Sequence, residues 1–390
     1  MKKLMKLITL FMVINLILTG CGSASGEEQA AETTIKVGVN MELSGAVASY
    51  GQAELNGIKL AIKQVNANGG VLGKQIELVE VDNTSAASEA TSVTTRLVTQ
   101  DEVVAILGPA TSGAFKASIP VAEEYGTAII SPSATDSSVL INETTNTAYS
   151  TAFRTCFIDS FQGITMANFA TANLGATKAV VFGDNSSDYA QGLADNFISQ
   201  FEANGGTIVA HESYTSGDTD FNAVLTRIST MDFDVIFIPG YYSEAGLIIK
   251  QAREMGIDAA IIGADGFESP DLISLAGTAN ITNVFYSTHY SSVGDNQAVA
   301  DFVSAYNAEY GEDPNSFSAL AYDAAMLLVD AIERAGEADA AKIVEALAST
   351  DGFEGITGNI TVGENHDAIK AIYVVELSGD KAVNSVKVNP

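Results

Sequence analysis

Hydroxyls, tyrosines and two carboxylates recur where short β-branched runs end. Ser112, Ser133 and Thr135 follow such runs in the first part of the chain, and Asp184, Tyr189, Tyr241 and Asp265 follow them in the second. In open α/β sheets, ligands bind in the crevice outside the carboxyl ends of the strands. Hydroxyls beside helix-start amides suit an anion such as a carboxylate, because those N–H groups lack an intrahelical partner and carry partial positive charge. A carboxylate with tyrosines on the opposite wall suits a cation and apolar packing. The two walls together describe a zwitterion, its carboxylate on a first lobe and its ammonium on a second. Singly, each residue also fits an ordinary helix cap; the set is what carries the reading.

Signatures of catalysis and of metal binding are missing. There is no GxSxG elbow, no HExxH and no paired CxxC. Gly69-Gly70-Val71-Leu72-Gly73-Lys74-Gln75 has phosphate-loop features, but its glycine spacing is one residue short. Gln75 also replaces the required Ser/Thr, and the stretch follows a helix pattern, so it reads as a turn. His211, His289 and His366 are far apart and show no ligand spacing, so neither a metal nor a cofactor is expected.

The elements that must position these residues alternate between strand and helix. Ile35 to Asn40, Ile76 to Val81, Val103 to Leu107 and Ala128 to Ile130 read as strands. Between the first two, Leu55, Ile58, Ala61, Ile62 and Val65 recur at helical spacing up to Asn68-Gly69-Gly70. From Phe153 the rhythm restarts, with strands at Ala179 to Phe182, Ile208 to Ala210, Val235 to Ile238 and Ala260 to Ile262. Strand, crossover helix, strand is the signature of a parallel sheet, so the fold class is α/β with two doubly wound lobes. Long helical patterns then cover Val299 to Tyr310 and Leu320 to Ala335. Two closing strands, Asn359 to Val362 and Ile369 to Leu377, suit a chain that recrosses between lobes to complete each sheet.

Composition and the first residues bound the setting. Apolar residues make up 47% of the chain and charged ones 17%, as in a compact chain with ample core. Lys2, Lys3 and Lys6 precede an apolar run of about twelve residues, Leu7 to Leu18, too short to span a bilayer and right for a signal peptide. Leu18-Thr19-Gly20-Cys21 resembles the lipobox of bacterial lipoproteins, which implies removal of residues 1–20 and lipidation of Cys21. The Ser/Gly/Glu/Ala stretch over 21–33 then reads as a flexible linker to an extracytoplasmic membrane surface. The signal holds three of the 19 basic residues, so 16 remain against 48 acids, a net −32. That charge argues against a nucleic-acid partner and for a soluble, non-adhesive monomer. Cys156, among Phe153, Phe157 and Ile158, reads as a buried core residue.

Leu43-Ser44-Gly45, Tyr50-Gly51, Asn66-Ala67-Asn68-Gly69-Gly70 and Gly108-Pro109-Ala110-Thr111-Ser112 form an ordered set. Ser131-Pro132-Ser133-Ala134-Thr135, Phe153-Arg154, Gly263-Ala264-Asp265-Gly266 and Ala321-Tyr322-Asp323-Ala324 continue it. From about residue 34 to the C-terminus the chain resembles the type I solute-binding proteins of branched-chain amino-acid ABC transporters. The resemblance implies a clamshell of two lobes, 34–153 plus 286–357 and 154–285 plus 358–390, joined by three hinge crossovers. It implies that Ser112 and Thr135 hold a ligand carboxylate with help from backbone groups at Ser133, and that Asp265 holds the ammonium with backbone and hydroxyl help from the first lobe. Tyr50, Tyr189 and Tyr241 match positions that line or cover the pocket, and Phe317 matches an apolar wall.

The implied activity is capture of a neutral amino acid and its delivery to a membrane permease and ATPase. Asp265 stands where leucine/isoleucine/valine binders can have a glutamate, and Phe267 close by leaves room for aromatic or larger apolar ligands. Urea, short amides and aromatic compounds are the rival ligands, and a sensor for a separate receptor is the rival role.

Overall fold

A computed structural model describes residues 34–291 and 296–389. The signal, Cys21 and the linker expected over 1–33 lie outside the described residues. The first lobe is built from β1 (Thr34–Met41), α1 (Ala48–Ala67), β2 (Gln75–Asp82), α2 (Ala87–Thr99), β3 (Ala105–Leu107), α3 (Ser112–Tyr125) and β4 (Ala128–Ser131). A small hairpin, β5 (Ile141–Asn142) and β6 (Thr147–Ala148), precedes β7 (Ala152–Arg154). The main strands form a parallel sheet in the order β2-β1-β3-β4-β7. Val37, Val39, Met41, Ile106, Leu107, Ile129 and Ile130 are fully buried, as expected of strands covered on both faces.

The second lobe contains α4 (Asp159–Ala172), β8 (Lys178–Asp184), α5 (Asp188–Ala203), β9 (Thr207–Tyr214), α6 (Asn222–Ile228) and β10 (Val235–Ile238). It continues through α7 (Tyr242–Glu254), β11 (Ala260–Gly263), α8 (Pro270–Ala276) and β12 (Val284–Thr288). The chain then forms α9 (Gln297–Tyr310), α10 (Ser316–Ala335) and α11 (Ala340–Ala348), which pack on the first lobe, α10 lying along α1. At their crossing, a Cβ on Gly57 would sit 2.1 Å from Ser318 O, so glycine is what lets the helices approach. A hairpin, β13 (Phe353–Gly355) and β14 (Gly358–Ile360), leads to β15 (Ile372–Ser378) and β16 (Lys381–Val388). The second sheet runs β16-β15-β12-β11-β10-β8-β9, with β15 and β16 antiparallel at its edge.

Two expectations are corrected here. The lobe boundary at residue 286 falls inside β12, whose Val284–Tyr286 pairing with Ile261–Gly263 of β11 and full-length pairing with β15 keep it in the second sheet through Thr288. The closing strands also do not complete both sheets. Gly358, at φ +115°, turns the chain back on itself, so β14 pairs only with β13, while β15 and the unanticipated β16 both join the second sheet. The Gly69–Gln75 stretch is a turn between α1 and β2, closed by the Val71–Lys74 bridge.

Polar contacts tie the crossings together. Arg154, fully buried at the end of β7, donates to Ala134 O, Asp136 O and, through Nε at 2.9 Å, to Asp367. Lys370 donates to Thr155 O at 2.9 Å and to Thr357 Oγ1, and burial pulls its ammonium down to a pKa of about 8. Cys156 is buried, and that burial pushes its thiol far above the usual range.

Candidate functional site

Carboxyl-edge geometry collects the polar residues. Tyr50 lies in the first turn of α1 after β1, Ser112 opens α3 after β3, and Ser133 and Thr135 lie in the loop after β4. Across from them, Tyr189 sits in the first turn of α5, Tyr241 immediately precedes α7, and Asp265 begins the single 3-10 turn after β11. Phe317 comes from the first turn of α10. All eight residues line one cleft of about 240 Å³, together with Ala110, Thr111 and Gly266.

The second-lobe wall is built around the Asp265 carboxylate, which is only 3% exposed. Its Oδ1 accepts from the Tyr189 hydroxyl at 2.7 Å, Gln162 Nε2 at 3.1 Å and Gly266 N at 3.1 Å. Oδ2 lies 3.0 Å from His289 Nε2. Burial lowers the His289 pKa against the pull of Asp265, so the ring is neutral and Nε2–H donates. That ring stacks on Phe157 at 3.5 Å, and Gln162 is locked by Asp265 N at 2.9 Å and Ser287 Oγ at 2.6 Å. Among the described residues lining the cleft there is no lysine or arginine. Four neutral donors orient this carboxylate without cancelling its charge, leaving a binding place for a cation.

The first-lobe wall has the opposite character. Ser112 Oγ accepts from Asp136 N at 3.2 Å and keeps its own hydrogen to donate, while Thr135 Oγ1 makes no hydrogen bond of good geometry. Glu42, just past β1, takes Ala110 N at 3.0 Å, Thr111 N at 3.1 Å and the Thr111 hydroxyl at 2.8 Å. These amides precede α3, so the free first-turn amides begin at the cleft itself. Beneath the wall, burial pushes the Asp159 carboxyl well above the usual range, and the Asp265 charge adds to the rise.

Aromatic rings close the rim. Tyr50 stacks on Phe317 at 4.3 Å and meets Tyr241 edge-on at 5.7 Å, while Tyr189 and Tyr241 stack at 5.1 Å. The Tyr50 hydroxyl donates to Gly266 O across the cleft and accepts from Tyr242 N at 3.3 Å.

Two sequence candidates go elsewhere. Asp184 is buried outside the cleft and holds Ser186 N and its hydroxyl. Phe267 does not line the cleft: its ring packs on Gly263 within the core, which removes it as a determinant of ligand size. Gln162, His289, Asp159, Glu42 and Glu54 were not anticipated. The strand-end rule reaches His289 once β12 is recognised, because it directly follows that strand; no comparable pattern marks Gln162.

The sequence pattern described as periplasmic binding protein matches residues 34–382. The chain belongs to that family. Among relatives of this periplasmic binding protein, the Leu/Ile/Val-binding protein BraC3 of Rhizobium johnstonii is 32% identical over 86% of this chain and 89% of that protein. A solved branched-chain amino acid transporter substrate binding protein, LivJ from Streptococcus pneumoniae in complex with isoleucine, is 42% identical with a TM-score of 0.87. It covers 92% of this chain, and all of that chain is matched. The leucine binding protein LivK of Thermotoga maritima is 36% identical, with a TM-score of 0.85 over 91% of this chain and 99% of its own. The α/β clamshell of type I periplasmic binding proteins is thus the fold of this chain.

Proposed function

We propose that this protein is the extracytoplasmic solute-binding component of an ABC importer and binds one neutral, branched-chain or similarly apolar amino acid between its lobes. The observation that carries this reading is the pairing of an uncancelled, buried Asp265 carboxylate with a facing wall of hydroxyls and helix-start amides. Ser112 and Thr135 would take the ligand carboxylate, Asp265 the ammonium, and Tyr50, Tyr189, Tyr241 and Phe317 the side chain. The ligand is held and released unchanged, because its contacts are hydrogen bonds, charge and rings, with no nucleophile–base pair among them. Lipidation at Cys21 and action as a monomer complete the proposal; a Cys21→Ala variant should lose membrane retention and keep its ligand affinity.

Calorimetry on the purified protein tests the ligand class. Leucine, isoleucine or valine should bind, and the same carbon skeleton without its ammonium group should not. Binding of urea, a short amide or an aromatic acid in place of every amino acid overturns the reading.

A further inference from the structure

Glu54 lies one turn beyond Tyr50 on α1, wholly buried beneath the first-lobe wall. Ser133, which lines the cleft, has its Oγ 2.5 Å from Glu54 Oε1 and 2.9 Å from Ala110 O. A serine hydroxyl carries one hydrogen and two lone pairs. With an ionised Glu54, both of these oxygens would compete for that single hydrogen. Glu54 Oε2, which has no partner, would also be a bare charged oxygen in the core, among the costliest arrangements in a protein.

The surroundings offer no relief. The charged group that acts on Glu54 is another acid, Glu42. On its own helix, the Tyr50 hydroxyl serves Gly266 O and Lys59 pairs with Glu80 of β2. Tyr322 of α10 donates to Gln64, Tyr306 of α9 reaches Asn56, and Asp323 of α10 holds the amides of Ile356 and Thr357. Arg154, behind the Ser133 loop, is committed to Ala134 O, Asp136 O and Asp367.

We infer that Glu54 is a neutral carboxylic acid that donates its proton to Ser133 Oγ, so that Ser133 gives its own hydrogen to Ala110 O and turns its remaining lone pair to the cleft as an acceptor for a ligand N–H. The chain Glu54 to Ser133 to Ala110 then uses every hydrogen once. Burial favours the same state: it pushes the Glu54 carboxyl well above the usual range, opposed by the Ser133 bond and reinforced by Glu42. Glu54 is thus a positioning residue, acting on the ligand through Ser133. The inference rests on the amino-acid reading of the cleft and assigns to Glu54, acting through the Ser133 hydroxyl, a part in the first-lobe help that the resemblance implies for the ammonium.

The sign of the pH effect follows. The folded protein keeps a proton that the unfolded chain releases above the ordinary glutamate pKa of about 4.3, so this group's contribution to stability falls as pH rises from there. The Glu54→Gln variant keeps a donor toward Ser133 and has no proton to lose. Its stability relative to wild type should rise between about pH 5 and about pH 8, read by denaturant unfolding. In the infrared, the ligand-free wild type at neutral pH should show a protonated-carboxyl carbonyl band that Glu54→Gln lacks. Leucine affinity should fall about tenfold in Glu54→Ala and be largely recovered in Glu54→Gln. No difference in the carbonyl region, or a Glu54→Gln variant less stable than wild type at neutral pH, overturns the neutral acid. If leucine binds and Glu54→Gln is as weak as Glu54→Ala, the positioning role fails alone. If no amino acid binds, the functional reading fails while the infrared and unfolding data still decide the state of Glu54.

Discussion

At the residue scale, the cleft works by leaving one charge uncancelled. Asp265 accepts four neutral donors, and on the proposed function a ligand ammonium completes its anion. Breaking a buried charge pair by removing one partner costs about 3–5 kcal/mol, so Asp265→Ala should weaken amino-acid binding by roughly a hundredfold or more. That truncation also strips partners from Tyr189 and Gln162. Asp265→Asn, which keeps the shape and loses the charge, should show a comparable loss with unfolding behaviour near wild type. Calorimetry giving less than a tenfold loss for Asp265→Asn would mean that the carboxylate does not meet an ammonium. That Asp265, Ser112 and Thr135 meet at one cleft was legible because each follows a recognisable strand, and such strand ends face the crevice. The second layer was not. Gln162 enters from α4, and Glu54 lies on the face of α1 that a periodicity reading assigns to core. Their roles come from tertiary contact, which spacing along the chain does not encode.

At the element scale, the helices deliver the ends that matter. α10 brings Phe317 onto Tyr50 because Gly57 lets its first turn settle against α1. A methyl at Gly57 would meet the Ser318 carbonyl, a backbone atom that moves only with the helix. Overpacking of this kind costs about 1–3 kcal/mol, so Gly57→Ala should lower unfolding stability by that much and weaken ligand binding as Phe317 shifts. Unchanged stability would show that α10 slides without penalty. The same scale explains what the sequence concealed of the fold. Fully buried runs such as Val235–Ile238 are unmistakable as strands, and α9 and α10 follow from their periodicity. β16 is mostly exposed, with Val383 57% accessible, so it lacks the apolar run that marks a central strand. β12 ends in Ser287 and Thr288, whose polar side chains turn inward to Gln162 and Glu268 and hide its last residues among apparent loop positions.

At the scale of the whole molecule, the lobes are held together by contacts that the ligand need not touch. Ser49 N donates to the Tyr242 hydroxyl at 3.3 Å, and Ser49 Oγ lies 2.8 Å from Ser269 Oγ, joining α1 of the first lobe to α7 and α8 of the second. Tyr242 stands outside the cleft lining, yet its ring meets Tyr50 edge-on at 5.0 Å. A bond present only when the lobes meet adds its free energy to the closed state, and a ligand that requires closure binds more tightly by the same amount. Tyr242→Phe deletes the hydroxyl and keeps the ring. With a net worth of about 1 kcal/mol for such a bond, affinity should fall about fivefold, mainly through faster release, with the order of preference among amino acids preserved. Small-angle scattering of the ligand-free variant should shift toward a more open shape, and saturating ligand should restore the wild-type curve. A change in ligand preference would place Tyr242 in the recognition surface. An affinity equal to wild type would mean that ligand contacts alone supply the energy of closure.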